Sequence, residues 1–375
     1  MNNKEIECYI HIPFCIEKCN YCDFLSFKAS EAVKRSYVDS LIREIVSRRD
    51  ENATVTTVFI GGGTPSVLSD GEINRILKAL KNNYNISKNA EISIEANPCT
   101  ITKRKLDEYL EAGINRISIG CQSMDDRLLK KLGRLHDSSA FLSAVKLSGE
   151  AGFNNINADL MFAIPDQTGK IWIETLEKTA ELNISHISAY SLILEEGTRL
   201  YECRDSLRLV SEDECALMYE DTLRILRRYG FERYEISNYS KKGYECRHNI
   251  GYWTGTFYKG FGLGASSYEN NIRFKNTDNI NKYINIQSDY ENAKYDIIEL
   301  DNNDLYSEFV ILGLRLTRGI SVKEFEKRYN KDIFDVFEAE LKKHIKLGTL
   351  IYKNNKIYIP ERYMFVSNSI LSDFV

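Results

Sequence analysis

Three cysteines near the amino terminus carry the most specific chemical signal in the chain. Cys15, Cys19 and Cys22 form a C-x3-C-x2-C pattern, so three thiolates can reach one centre from a single loop. Thiolates select an iron–sulfur cluster or another thiophilic metal. A zinc site, or a cluster held wholly by protein, needs a fourth ligand, and the sequence has no second C-x2-C pair to supply one. A cubane cluster on three thiolates keeps one iron open for an external small molecule.

A second group of candidate residues stands at the carboxyl ends of predicted strands. The string G-G-G-T-P-S at residues 61–66 follows a predicted strand, and glycine lets a backbone turn tightly and approach a ligand closely. It is neither a Walker nor a G-x-G-x-x-G loop, which argues against phosphate binding. Glu95, Gln122 and Asp159 end or follow other strands, and Arg134 stands in G-R-L-H. Parallel sheets bind ligands at this edge, although each residue alone also fits an ordinary turn or surface position.

Strands and helices must alternate to position these residues. The spacing of apolar residues predicts βα units on a parallel sheet, so the expected fold class is α/β. The predicted strands cover residues 7–12, 56–60, 91–95, 116–120, 155–162 and 186–192. The predicted helices cover residues 30–49, 70–84, 103–112, 125–132, 138–151 and 170–182.

The second half of the chain has a different pattern. A predicted helix over residues 212–229 and a predicted strand over 234–239 precede the string H-N-I-G-Y-W at 248–253. From residue 305 the order is helix, short helix, helix and hairpin, with helices predicted over residues 322–329 and 333–347, and this order resembles a winged helix. We therefore expect three segments: an α/β domain at residues 1–240, a connecting region with edge strands at 241–300, and a mostly helical domain at 301–375.

Composition excludes several classes of protein. A net charge of −4, a pI near 5.9 and a C-terminal segment without an excess of basic residues argue against nucleic-acid binding. The longest apolar runs are too short to span a bilayer, and the amino terminus lacks the apolar stretch of a signal peptide. The six cysteines outside the motif have no disulfide-framework spacing. These features predict a cytoplasmic protein with free thiols.

The cysteine motif resembles the signature of the radical S-adenosylmethionine superfamily. Within it, I-H-I-P-F-C followed by C-x-x-C-D-F is similar to the family of oxygen-independent coproporphyrinogen III dehydrogenase and its heme-chaperone relatives. The resemblance implies an open, partial (β/α)6 barrel with a smaller winged-helix-like domain, and a [4Fe-4S] cluster on Cys15, Cys19 and Cys22. It also implies S-adenosylmethionine on the open iron. The residues at matching positions around that cofactor are Tyr9, Tyr21, Gly62, Gly63, Thr64, Glu95, Gln122, Arg134 and Asp159.

Two functions remain open within this family. The heme-chaperone branch is favoured because Phe24 stands where the dehydrogenases commonly have a fourth cysteine, because only 14 residues precede Cys15, and because the H-N-x-x-Y-W string is typical of that branch. The resemblance then implies His248 as a heme ligand, although a buried, hydrogen-bonded histidine beside core aromatic residues is equally compatible with the string. A departure from the family pattern is Ala163, where glycine is usual.

A chaperone of this kind implies several partners. They are heme, an acceptor hemoprotein of the respiratory chain reached at the membrane, and a second copy of the chain. The alternative is an enzyme that oxidatively decarboxylates two propionates of coproporphyrinogen III, and retained cluster residues are consistent with both functions.

Overall fold

A twelve-stranded sheet forms the centre of the computed structural model, which describes residues 4–375. Six neighbouring strands of this sheet are parallel and follow one another in chain order. They are β1 (Lys4–Ile12), β2 (Asp50–Gly62), β3 (Tyr84–Ala96), β4 (Arg116–Gln122), β5 (Ile156–Phe162) and β6 (His186–Ser191). The strand order has two ends, so the sheet is not closed, and the expected partial (β/α)6 barrel is confirmed.

Helices connect the parallel strands and cover the sheet. They are α1 (Glu31–Ser47), α2 (Glu72–Asn83), α3 (Lys103–Glu111), α4 (Asp126–Lys131), α5 (Ser138–Ala151), α6 (Gly169–Ala180), α7 (Arg199–Glu202) and α8 (Glu212–Arg228). Short polar side chains begin most of them: Ser30, for example, accepts a hydrogen bond from the Val33 N–H, and Ser211 forms a capping box with Glu214. These caps satisfy N–H groups that the first turn leaves without a partner.

The parallel strands alternate polar and apolar residues, which separates the inside of the barrel from its helix-covered outside. Apolar side chains such as Ile10, Ile60, Ile94, Ile119 and Leu160 are fully or almost fully buried in one core cluster with the helices. The intervening residues face the barrel interior. They include Glu7, Tyr9, His11, Thr57, Phe59, Glu91, Glu95, Arg116, Ser118, Asn157, Asp159, His186, Ser188 and Tyr190.

Further strands extend both edges of the parallel sheet. They and the intervening helices are β7 (Glu232–Arg233), β8 (Asn238–Ser240), α9 (Arg247–Trp253), β9 (Tyr258–Phe261), β10 (Ser266–Glu269), β11 (Ile272–Asn276), α10 (Ile280–Asn285) and β12 (Lys294–Glu299). β9 pairs in parallel with β1, whereas β10, β11 and β12 continue antiparallel. The division of the chain at residues 240 and 300 stays a prediction, because strands from the middle segment continue the sheet of the first.

One strand prediction in this region is wrong. Residues 234–239 were expected to form one strand, but β7 and β8 pair as an antiparallel hairpin with a turn at 234–237. The Glu235 carboxylate accepts a hydrogen bond from the Ser237 N–H at 3.0 Å and holds this turn. A hydrogen bond from the local backbone to an acidic side chain therefore favours a turn where the apolar pattern predicts a continuous strand.

The carboxyl-terminal segment has the expected winged-helix order. It contains α11 (Asn302–Gly313), β13 (Ile320–Ser321), α12 (Val322–Tyr329), α13 (Ile333–Val336), α14 (Glu338–Leu347), β14 (Ile351–Lys353), β15 (Lys356–Tyr358) and α15 (Ser367–Leu371). The three strands form one antiparallel sheet in the order β13-β15-β14. The helix predicted over 333–347 is interrupted at Phe337. Within residues 4–375, no helix has the length and apolar character needed to cross a bilayer.

Candidate functional site

The cysteine loop follows β1 and is held on two sides by backbone hydrogen bonds. Cys15 N donates to Phe27 O at 3.1 Å, and Phe27 N donates to Pro13 O at 3.0 Å, which closes the base of the loop. Asn20 N donates to Leu132 O at 2.9 Å and links the loop to the end of α4. The loop is therefore positioned by elements at the carboxyl edge of the sheet.

The three motif cysteines are free and partly exposed at this edge. Arg134 Nη1 lies 3.5 Å from Cys19 Sγ, and the Thr64 hydroxyl donates to Cys15 Sγ at 3.5 Å. In the described part of the chain, no three Cys, His, Asp or Glu side chains converge on a position for a single metal ion. Thiolates on a cubane cluster bind different irons, so this donor set fits a cluster better than a lone ion.

The glycine string lies directly against the cysteine loop. Gly62 has φ +111°, and a Cβ there would lie 2.5 Å from the His11 ring. A Cβ at Gly63 would lie 2.7 Å from the Phe14 carbonyl oxygen. Gly63 N donates to Ile12 O at 2.9 Å. The glycines are therefore required for close packing of two loops, in addition to any approach to a ligand.

Two acidic residues, Glu95 on β3 and Asp159 on β5, lie inside the barrel. The Glu95 carboxylate accepts a hydrogen bond from Gly62 N at 3.0 Å, and Asp159 accepts hydrogen bonds from Ser118 at 2.8 Å and Asn157 at 2.7 Å. Burial, followed by the charge of Asp159, raises the pKa of Glu95 to about 8. A cationic group bound beside these carboxylates would favour the ionised form of Glu95, against both its burial and the charge of Asp159.

Gln122 and Arg134 flank the end of β4. Gln122 has φ +60°, and its Oε1 is buried without a hydrogen-bond partner among the described residues. Arg134 Nη2 donates to Gly120 O at 3.2 Å. The Gln122 oxygen is thus available at the end of β4 for a donor group of a polar ligand. Tyr21 packs its ring against Leu128 and other residues of a small apolar cluster.

A cavity of about 180 Å³ inside the barrel brings together several predicted residues. Tyr9, Glu95, Asp159 and His248 line it, whereas Thr64 and Cys19 line a shallow cleft nearby. Sequence reasoning missed other polar residues that line the same cavity. They are Arg116, Ser118, Asn157, Ser188, Tyr190 and Asn249. The signal that could have found most of them is the alternation of polar residues along strands whose other face is wholly apolar.

Arg116 is the most unusual of the missed residues. Its side chain is buried on β4, and its Nε and Nη1 atoms have no hydrogen-bond partner among residues 4–375. The carboxylates of Glu91 and Asp159 are among the groups whose charge favours its charged form. A buried cation with free donors is suited to hold an anionic or polar ligand group.

His248 lies on α9 with its imidazole only 1% exposed. Its Nδ1 is 2.6 Å from the Thr57 hydroxyl, and its Nε2 is 2.9 Å from the Tyr252 hydroxyl. The ring stacks on Phe59 with centroids 5.2 Å apart. Burial, and then the charge of Arg116, lowers the pKa of His248 to about 3, so the imidazole is neutral at pH 7.

A second cavity of about 420 Å³ adjoins the first, with Tyr9 and Tyr252 lining both. Its wall is largely aromatic. Its side chains include Tyr9, His11, Tyr252, Trp253, Tyr258 and Tyr268, with Leu312 from α11. Among the described residues that line it, Arg273 carries a positive charge, and it pairs with Glu308 through bonds of 2.9 and 2.8 Å. An aromatic cavity of this kind suits a flat ligand.

Comparisons with known proteins relate this chain to two domain families. Residues 9–179 match the radical SAM superfamily, and residues 300–366 match the HemN C-terminal domain. The solved structure of coproporphyrinogen III oxidase (HemN) from Escherichia coli, a radical SAM enzyme, superposes with a TM-score of 0.88. It covers 99% of this chain and 90% of that chain at 23% identity, which shows a shared fold.

Three relatives share more sequence with this chain over nearly all of their length. The heme chaperone HemW of Lactococcus lactis is 34% identical and covers 100% of this chain and 98% of its own. The HemW of Bacillus subtilis is 33% identical, covering 98% of each. The HemW of Escherichia coli is 33% identical, covering 98% of this chain and 97% of its own. The chain therefore belongs to the HemW family of heme chaperones, within the radical S-adenosylmethionine superfamily.

Proposed function

We propose that this protein binds heme and transfers it to an acceptor hemoprotein. The observation that carries the proposal is identity of 33–35% to proteins named heme chaperone HemW, in several cases over almost the whole chain. The aromatic cavity beside the H-N-x-x-Y-W string supports it, because such a wall favours a flat macrocycle.

We also propose that Cys15, Cys19 and Cys22 hold a [4Fe-4S] cluster, and that S-adenosylmethionine binds beside it. When both are bound, they supply one-electron reductive chemistry. The position of the Arg134 guanidinium, 3.5 Å from Cys19 Sγ, supports its assignment to a ligand carboxylate beside the cluster. Glu95 lies against the glycine string and is suited to the ammonium group.

The other predicted residues complete this proposed cofactor site. Asp159 is suited to ribose hydroxyls, and the buried, unpartnered Oε1 of Gln122 supports a contact to a donor group. Tyr21, between the second and third cysteines, is proposed to cover the adenine. Gly62 and Gly63 are proposed to let the backbone approach the methionine end.

Location and assembly are part of the same proposal. We place the protein in the cytoplasm, supported by nine free cysteines, and at the membrane surface only while it delivers heme. A homodimer is proposed as the working assembly. Sedimentation of the protein with and without its cluster tests that assembly.

The alternative, decarboxylation of coproporphyrinogen III, is less well supported. The similarity to the coproporphyrinogen III oxidase structure is at 23% identity and concerns the fold. Phe24, which stands where those enzymes commonly have a cysteine, is 60% exposed beside the cluster loop. The chaperone function is therefore the better proposal.

Hemin titration tests the proposal directly. We expect the cluster-reconstituted protein to bind ferric heme at a fixed stoichiometry, seen as a shifted Soret band, and to lose that band when apomyoglobin is added as a generic acceptor. Serum albumin loaded with hemin serves as the control for passive release. Absence of a saturable Soret shift would refute heme binding and with it the proposed function.

A further inference from the structure

We propose that Arg116 binds the carboxylate of a heme propionate, and that this propionate enters the polar cavity inside the barrel. The inference rests on the proposed heme binding and names the residue that holds one arm of the ligand. It gives a role to a buried arginine that neither the proposed cofactor site nor the H-N-x-x-Y-W string uses.

Arg116 is a buried cation whose donors have no acceptor. Only 2% of the residue is exposed, and its Nε and Nη1 atoms are buried without a hydrogen-bond partner among residues 4–375. It begins β4 and lines the polar cavity of about 180 Å³. A buried charge with unpaired donors costs free energy unless a bound group supplies the acceptor. The arginine therefore marks a position for an acceptor inside the barrel.

The carboxylates nearest to Arg116 are bonded to other donors. Asp159 accepts hydrogen bonds through both oxygens, from Ser118 at 2.8 Å and from Asn157 at 2.7 Å. Glu91 accepts from two backbone N–H groups at the start of α9, at 3.1 and 3.2 Å. Because these donors already stabilise the two carboxylates, the charge and the hydrogen bonds of Arg116 are available to an anionic group of a ligand.

The two adjoining cavities match the two parts of a heme. The aromatic cavity, of about 420 Å³, falls within the range of about 300–1,000 Å³ that is typical of sites for small organic ligands. The polar cavity, of about 180 Å³, falls below that range and suits a side arm better than a macrocycle. Tyr9 and Tyr252 line both cavities. A flat ring system in the aromatic cavity can therefore extend a propionate past these two residues to Arg116.

The carboxylate of the proposed cofactor is a less suitable partner for Arg116. That cofactor site is at the carboxyl edge of the sheet, where Arg134 lies 3.5 Å from Cys19 Sγ. Arg116 is the first residue of β4, and Gln122, at that edge, is the last. The seven residues of this strand span about 20 Å. Arg116 is therefore at the opposite end of the strand from the cluster loop.

Arg273, the cation of the aromatic cavity, is a weaker candidate for the propionate. It donates to both carboxylate oxygens of Glu308, at 2.9 and 2.8 Å, and to the Tyr258 hydroxyl at 3.2 Å. A propionate would have to displace Glu308 to reach its donors. Arg116 has no such partner to displace.

Separate titrations of the cluster-reconstituted full chain with hemin and with hemin dimethyl ester test the inference. The ester keeps the iron and the ring but has no carboxylate. We expect the wild type to bind hemin roughly 10–100-fold more tightly than the ester, because a charge-assisted hydrogen bond is lost. Arg116→Gln should bind both with nearly equal affinity, and Arg116→Lys, which keeps a cation, should retain part of the preference. Arg228→Gln, which removes an exposed arginine of α8, is the matched control and should retain the full preference.

Three outcomes overturn the inference. They are equal affinity of the wild type for hemin and its ester, a preference that Arg116→Gln keeps, as expected if Arg116 bonds only to water, and loss of the preference in Arg273→Gln but not in Arg116→Gln. The first needs no variant, and unchanged binding of the ester shows that a variant is folded. Failure of the wild type to bind either compound would instead refute the proposed function, whereas hemin binding without a preference that depends on Arg116 refutes this inference alone.

Discussion

Replacement of Glu95 by glutamine should stabilise the cofactor-free protein while weakening its cofactor site. Glu95 is half-buried in the barrel interior, and its pKa is raised from an ordinary value of 4.5 to about 8 by desolvation and by the charge of Asp159. Between these two pH values the folded protein retains a proton that the unfolded chain has lost. The free energy of unfolding must therefore fall as pH rises from about 4.5 to 8.

The size of this effect follows from the two pKa values. Each unit corresponds to about 1.4 kcal/mol, so at pH 7 the ionisable Glu95 costs on the order of 3 kcal/mol of stability. Glutamine does not ionise, and its amide oxygen can still accept the hydrogen bond from Gly62 N. We therefore expect Glu95→Gln to be more stable than wild type by roughly that amount at pH 7, and by much less at pH 5.

Urea unfolding of the cofactor-free protein between pH 5 and pH 8 measures this difference. Glu150→Gln, which removes an exposed carboxylate on α5, is the matched control and should change stability by less than about 0.5 kcal/mol. The same Glu95→Gln protein should bind S-adenosylmethionine about 10–100-fold more weakly, because a charge-assisted bond to the ammonium is lost. A stability difference that is absent, or that does not depend on pH, would refute the reasoning.

Other substitutions test separate parts of the structure. Replacement of Cys15, Cys19 or Cys22 by alanine, one at a time, should abolish the cluster, as measured by iron and sulfide content. Gly62→Ala should destabilise by about 2–5 kcal/mol in urea unfolding, because it combines a left-handed backbone with a Cβ 2.5 Å from the His11 ring. Ala163→Gly should raise stability by about 0.5–1 kcal/mol in thermal unfolding, because Ala163 has φ +60°.

Matched variants separate these effects from general damage. Cys203→Ala removes an exposed cysteine and should keep the cluster. Gly71→Ala has a similar left-handed backbone, φ +85°, but no atom within 4 Å of the new Cβ, so it should cost only about 1–2 kcal/mol. Ala158→Gly, inside the buried strand β5, should destabilise where Ala163→Gly stabilises. Equal costs for Gly62→Ala and Gly71→Ala would contradict the packing of the glycine string on His11.

Much of the fold was predictable because it depends on local pattern. The six parallel strands alternate buried apolar residues with polar ones, and the helices between them begin at capping residues such as Thr102 and Asp137. Strand ends were less predictable: β3 begins at Tyr84, well before the apolar run, because cross-strand pairing with β2 extends it. The turn at Glu235 depends on a side-chain bond that the apolar pattern does not encode.

The candidate site was predictable where it follows a linear motif. The cysteine loop and the glycine string are short segments that can be recognised in the sequence. Arg116 and Asn157, in contrast, belong to the site only because residues from other strands line the same cavity. His248 illustrates the limit best: the string predicts a histidine near heme, but its burial against Thr57 is a tertiary contact. A histidine can ligate iron only through a ring nitrogen that is not engaged elsewhere, and the hydrogen-bond partners of both nitrogens are known only from the structure.

The measurement that tests the central claim most directly is an anaerobic assay with coproporphyrinogen III labelled in its propionate carboxyl groups. The cluster-reconstituted protein receives reductant, S-adenosylmethionine and this substrate in one sample, and hemin in another. The proposed function predicts saturable hemin binding and no labelled carbon dioxide above a sample without protein. Catalytic release of carbon dioxide, with vinyl-bearing product, would contradict the account and establish a dehydrogenase.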